Sequence, residues 1–156
     1  MSNQIERAVF IGGCERSGTT LLGAMLGAHG DCVCTPESQF KIDMIHALGL
    51  NEESTNMLSA LDMIKRHWRF KIWELDIDTI PKACAIDSYS KLLYWLVAQY
   101  SKDMSNPAAR IWVDHTPHNI RYAITLRKMF PDLKMIHIVR DGRAVANSII
   151  PLDWGP

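Results

Sequence analysis

The stretch RAVFIGG, Arg7–Gly13, is a run of apolar residues, β-branched and aromatic ones among them, closed by two glycines. It shows no polar alternation, which predicts a strand covered on both faces, as in a parallel sheet. Thr19–Ala28 then changes to helical spacing, with Leu22, Met25 and Leu26 sharing a face. A second short strand fits Asp31–Thr35, and helices fit Phe40–Leu50 and Asn51–Arg66. In the second helix Met57, Leu58, Leu61 and Ile64 form the apolar stripe, and Asn51 is placed to cap it. Phe70–Asp87 has no single period, and Pro81 stops any helix there. Ser88–Lys102 is helical, with Leu92, Leu93, Leu96, Val97 and Tyr100 on its inner side. After a break at Ser105–Pro107 a strand is predicted at Arg110–His115. Thr116 caps the next helix, Pro117 sits in its first turn, and Ile120, Ala123, Leu126 and Phe130 face inward. Leu133–Val139 predicts a further buried strand, and a last helix starts near Gly142.

Strands alternating with helices in this way predict an α/β fold, a parallel sheet flanked by helices. With 156 residues the chain has the length of one domain, read as spanning 1–156. A strand–helix unit runs straight into PLDWGP, so the domain reads as C-terminally truncated. A partner, or a second copy of the chain in a homodimer, is then expected to cover apolar surface on the last strand and helix. Seventeen basic and seventeen acidic residues cancel, which gives no bulk attraction to nucleic acid or to an anionic membrane. No apolar run reaches the ~20 residues of a membrane span. The N-terminus has no basic start leading into a long apolar segment, and a cytoplasmic location is expected. Cys14, Cys32, Cys34 and Cys84 lack zinc spacing, so reduced thiols and no metal are expected.

The chemistry concentrates in two stretches. IGGCERSGTT, Ile11–Thr20, has the G-x-x-x-x-G-K-[ST] spacing of a phosphate loop, but Thr19 stands where the lysine belongs. Backbone N–H groups from Glu15 to Thr20, with the positive end of the following helix, would make an anion site without any charged side chain. Loss of the lysine argues against Mg·ATP, and Arg16 offers a planar cation in its stead. A glycine-rich turn without a ligand is the plainer alternative. In the second stretch, VRDGRAVANSII, Arg140 falls at the carboxyl end of a strand, where open α/β sheets bind ligands. Ser148 follows eight residues later. Arg140, Arg143 and Ser148 fit a second anion site, and equally a solvated charge cluster at a helix start.

RSGTTLLGAMLGAHGDCVCTPES and VDHTPHNIRYAITLRKMFPDLKMIHIVRDGRAVANSII together resemble, in order, the two signature regions of sulfotransferases that use 3′-phosphoadenosine 5′-phosphosulfate (PAPS). Within them the resemblance is to the tyrosylprotein sulfotransferases and similar bacterial enzymes, over about 60 residues. It implies a P-loop-containing fold in which Arg16, Ser17, Gly18, Thr19 and Thr20 hold the 5′-phosphosulfate. Arg140 and Ser148, with Arg143 nearby, would hold the 3′-phosphate. Glu37, in TPES, matches the glutamate proposed as general base; a solvated residue after Pro36 is the alternative. Relatives often carry a lysine directly after the strand that ends at Asp114, and His115 takes its place here. A protonated histidine would serve as electrophile or leaving-group acid, a neutral one as a single donor, and a strand-end role is the alternative. Arg16 would otherwise supply the fixed charge.

The implied reaction moves a sulfuryl group from PAPS to an acceptor hydroxyl on a peptide tyrosine, a sugar or a small molecule, with no metal. Family members usually continue well past this point. Two other readings stay open at this level. One is a P-loop kinase or nucleotide triphosphatase, with Asp141 after MIHIV as a Walker B aspartate. The other is a non-catalytic nucleotide-binding fragment.

Overall fold

The computed structural model describes residues 5–48, 56–79 and 86–153. Four strands, β1 (Arg7–Gly13), β2 (Cys32–Thr35), β3 (Ile111–Asp114) and β4 (Lys134–Ile138), form one sheet in the order β2-β3-β1-β4, with every pairing parallel. The helices are α1 (Thr19–Gly27), α2 (Phe40–Leu48), α3 (Met57–Arg66), α4 (Trp68–Lys71), α5 (Tyr89–Asp103), α6 (Ala123–Met129) and α7 (Gly142–Ile149). A 3-10 helix, Pro117–Tyr122, leads into α6. The α/β expectation holds. Among the described residues, no helix is long and apolar enough to cross a membrane.

Register fixes where the site must lie. Phe10 pairs with Asp114, Asp114 with Thr35, and Gly13 with Ile138. In a parallel sheet this brings the segments after Gly13, Thr35, Asp114 and Ile138 out along one edge, the carboxyl edge. Behind that edge the core is aromatic. Phe10 meets Trp112 edge-on at 4.8 Å and Phe130 at 5.4 Å, and all three are buried. Full burial of each phenylalanine contributes about 1.5–3 kcal/mol, so the carboxyl ends of β1 and β3 are rigidly placed. Trp112 Nε1 donates to Thr35 Oγ1 at 2.9 Å, which ties β3 to the end of β2. Gly12 lets the 3-10 helix approach β1: a Cβ there would lie 2.5 Å from the Ile120 backbone nitrogen. Asn119 Nδ2 donates to the Ile11 carbonyl at 3.0 Å and closes the same contact.

Several local expectations change. β4 is not buried: among the described residues it lies at the sheet edge with β1 as its one neighbour, and its residues are half-buried or exposed. An edge strand packed on one side reads like a covered one in sequence, because the apolar run is the same. Thr116 does not cap through its side chain. Its hydroxyl is drawn to the buried Asp114 carboxylate at 2.6 Å instead. Met25 and Leu58 are exposed, and α1 turns Thr19 and Gly23 inward. The predicted Asn51 cap lies outside the described residues; Asn56 caps α3, accepting the Leu58 N–H at 3.0 Å.

Candidate functional site

Between β1 and α1 the chain makes a tight loop. Arg16 has φ +63° and Gly18 φ +100°, both left-handed, and glycine meets the second at little steric cost. The Ser17 N–H donates back to the Cys14 carbonyl at 3.2 Å. The first intrahelical bond of α1 runs from the Leu22 N–H to the Gly18 carbonyl at 3.0 Å. The N–H groups of Thr19, Thr20 and Leu21 therefore have no helical acceptor and carry the positive end of the helix dipole. Ser17 is buried, and its hydroxyl finds no hydrogen-bond partner. A buried orphan hydroxyl in a loop of this shape fits an anion as its missing acceptor.

The second stretch folds onto this loop. Arg16 Nε donates to Ser148 Oγ of α7 at 3.0 Å, and Arg140 Nη1 donates to the Arg16 carbonyl at 2.7 Å. Arg16, Arg140 and Ser148 thus share one place although more than 120 residues separate loop and helix. They line a cleft of about 610 Å³ with Glu15, Gly18, Thr19 and Thr20 on the loop side. The opposite side carries Glu37, Gln39, Trp68, Arg69 and His118. Three guanidinium groups against two carboxylates give the cleft a positive balance suited to an anion.

Glu37 sits on a segment that is pinned from behind. The Ser38 N–H donates to Thr116 Oγ1 at 2.8 Å, and the Ser38 hydroxyl donates to Asp114 Oδ2. Lys41 Nζ lies 2.5 Å from the same oxygen, and both side chains of this ion pair are fully buried. The Thr116 N–H reaches Asp114 Oδ1 at 2.8 Å. Burial alone would raise the Asp114 pKa, but the Lys41 charge and the Ser38 and Thr116 donors outweigh it and hold the carboxyl below its ordinary range. For Lys41, burial prevails and pulls the ammonium below its ordinary value. Glu37 itself is met by Arg69 Nη2 at 3.0 Å, and that guanidinium lies over the Trp68 ring at 4.1 Å.

Of the residues singled out by sequence, Arg16, Gly18, Thr19, Thr20, Glu37, Arg140 and Ser148 line the cleft, with Ser17 in its loop. Two stand apart. His115 does not line the cleft: it packs under α1, where a Cβ on Gly23 would come within 2.9 Å of its Cβ, and its Nδ1 is buried without a partner. Arg143 pairs with Asp141 at 2.8 Å and is 92% exposed. Asp141 caps α7 by accepting the Arg143 N–H at 2.8 Å, and the arginine holds its carboxyl below the ordinary value. Cys14, Cys32 and Cys34 are free, and burial pushes the Cys34 thiol up to about 12. Cys84 lies outside the described residues.

Sequence reasoning missed Trp68, Arg69 and His118. Arg69 lies between a predicted helix and a stretch with no clear period, and only the third dimension brings α4 to Glu37. His118 did carry a signal: it lies one helical turn beyond His115 in HTPH, close to the strand end where ligands gather.

The profile of the Sulfotransferase family matches residues 8–154. The chain is 29% identical over 145 residues to the protein-tyrosine sulfotransferase of Drosophila melanogaster, covering 91% of this chain and 25% of that protein. It is 28% identical to protein-tyrosine sulfotransferase A of Caenorhabditis elegans, covering 95% of this chain and 34% of the relative. Against human protein-tyrosine sulfotransferase 1 the identity is 29%, with 91% of this chain and 33% of the relative covered. The chain thus spans between a quarter and about a third of the length of these curated relatives.

Proposed function

The chain belongs to the sulfotransferase family, and from that premise we propose that it binds PAPS and carries the donor half of a site that transfers a sulfuryl group to an acceptor hydroxyl. The observation behind this reading is the joining of the loop to α7 and Arg140 through Arg16. One cleft edge then offers donors to two separated anionic groups. The N–H groups of Thr19 and Thr20, the orphan Ser17 hydroxyl and the Arg16 guanidinium would hold the 5′-phosphosulfate. Arg140 and Ser148 would hold the 3′-phosphate. Neither His115 nor Arg143 takes part in this reading, because one is turned under α1 and the other is committed to Asp141.

PAPS supplies an activated sulfuryl group when bound. Glu37 accepts the proton of the acceptor hydroxyl as its oxygen attacks sulfur, and adenosine 3′,5′-bisphosphate leaves. Arg69 fixes the carboxylate for that task from the acceptor side. Arg16, rather than a lysine after β3, provides the fixed charge near the transferred group. A peptide tyrosine is the acceptor favoured by the names of the relatives.

The test is calorimetric titration of the folded chain with adenosine 3′,5′-bisphosphate, with and without EDTA. Binding that EDTA leaves unchanged is expected. No binding to a folded sample overturns the reading, and binding abolished by EDTA moves it toward a metal-dependent nucleotide enzyme.

A further inference from the structure

His118 presents both ring nitrogens to oxygen. Nε2 lies 3.0 Å from Glu15 Oε1 on the phosphate loop, and Nδ1 lies 3.1 Å from Gln39 Oε1. The orientation of the Gln39 amide is set one step back, where its Nε2 donates to Asp43 Oδ1 at 3.2 Å. Asp43 Oδ2 is in turn 3.0 Å from His67 Nε2. His67 Nδ1 accepts the Arg69 N–H at 3.2 Å, so its hydrogen belongs on Nε2, where it is donated to Asp43. The relay therefore ends with two acceptor oxygens, one amide and one carboxylate, facing His118. Both contacts are hydrogen bonds only when both ring nitrogens carry hydrogen, in the imidazolium. A neutral ring turns a lone pair on one of the oxygens, or forces Gln39 to flip and lose Asp43.

Glu15 is a carboxylate on the very loop assigned to the phosphosulfate. Left uncompensated it repels the donor; paired with an imidazolium it does not. The groups facing His118 are Glu15 from the loop and Gln39 from the segment after β2, with Asp43 and His67 behind Gln39. Arg16, Arg69, Arg140 and Glu37 line the same cleft.

We propose that His118 and Glu15 form a proton-controlled latch on the donor loop. With the proton on His118 the pair is neutral and PAPS binds well; when the proton leaves, the Glu15 charge is exposed and donor binding weakens. The latch rests on the donor reading above. It predicts an affinity that is highest while His118 carries its second proton and falls as rising pH removes it. The ligand's own phosphates gain charge over the same range and work in the opposite direction. Glu15→Gln keeps that ligand effect and removes the latch, so the ratio of the two proteins isolates it. One carboxylate near a phosphate at surface dielectric changes affinity roughly three- to tenfold.

The experiment is calorimetry with adenosine 3′,5′-bisphosphate on the full chain from about pH 5.5 to about pH 8.5. Wild-type affinity relative to Glu15→Gln should fall roughly three- to tenfold across that range. His118→Lys should keep the low-pH affinity throughout, and His118→Ala should hold the high-pH value throughout. Nitrogen NMR, with the His118 signals assigned by their loss in His118→Ala, should show both ring nitrogens protonated where binding is tightest and one proton lost where it weakens. Parallel pH curves for wild type and Glu15→Gln, or a His118 that keeps one protonation state across the whole range, overturn the latch and leave the donor reading standing. No bisphosphate binding at any pH overturns both.

Discussion

Asp114→Ala should destabilise the fold far more than a typical polar substitution. The carboxylate is fully buried and accepts from Lys41 Nζ, the Ser38 hydroxyl, and the N–H and hydroxyl of Thr116. Without it, the Lys41 ammonium keeps the Ser38 hydroxyl at 3.1 Å and the Phe10 ring face at 5.0 Å, and as counter-charges only Glu37 and Asp43, neither of which contacts it. Breaking one side of a buried pair costs about 3–5 kcal/mol, because the remaining charge has neither water nor partner. Domain stabilities are typically about 5–15 kcal/mol, so the variant sits near the edge of folding. At ~2–4 °C per kcal/mol its melting temperature should drop by roughly 10 °C. Urea unfolding followed by circular dichroism measures this directly. The double variant Lys41→Met with Asp114→Leu should recover most of the loss, since it removes both charges together. Acid supplies an independent check. The folded Asp114 carboxyl titrates below its unfolded value, so the unfolded chain takes up protons first as pH falls. The contribution is whole above about pH 4 and is lost as pH drops through the folded value. An Asp114→Ala cost below about 1 kcal/mol, or a double variant as unstable as the two single losses summed, would refute the coupled-pair argument.

Two further predictions concern the cleft. Arg140→Ala should weaken adenosine 3′,5′-bisphosphate binding by roughly tenfold or more, as loss of a charged hydrogen bond does, while Arg143→Ala should change it less than about twofold; calorimetry of both variants checks the placement. Gly12→Ala should cost about 1–3 kcal/mol in urea unfolding, because its Cβ would meet backbone, the Ile120 nitrogen at 2.5 Å, and backbone does not step aside as a flexible side chain does.

The elements were legible in the chain wherever apolar period and chain punctuation agreed. β1, α1, α5 and β3 fall within a residue or two of their predicted limits because punctuation marks their ends: glycines at the end of β1 and before α1, Ser88 before α5 and Pro117 soon after β3. The failures share a cause. β4 looked like a covered strand because periodicity records which residues are apolar and says nothing of whether a neighbour strand lies beyond them. Thr116 looked like a cap because local rules cannot see that Asp114, two residues back, is buried and takes its hydroxyl. For Arg143 the sequence left a ligand-binding role and a solvated charge cluster level, because the spacing of VRDGR is silent on which guanidinium turns to Asp141; in the structure it is Arg143.

The phosphate loop sharpens that lesson for the site. Where a lysine is missing from the loop, local reading asks which neighbour replaces its charge, and Arg16 is the obvious answer. The fold distributes the answer more widely. Arg16 comes from the loop, Arg140 from the end of β4 and Arg69 from α4, and each is steadied by a contact of its own: Ser148, the Arg16 carbonyl and Glu37. Three forked cations set at fixed angles suit separated anionic groups better than one mobile ammonium does, since each fork fixes direction as well as charge. His118, clamped between Glu15 and Gln39, would then add, among the described residues of the cleft, a positive charge that loss of a proton removes. His115 lies three residues earlier in the chain but under α1, so the residue directly after β3 brings no charge to the cleft.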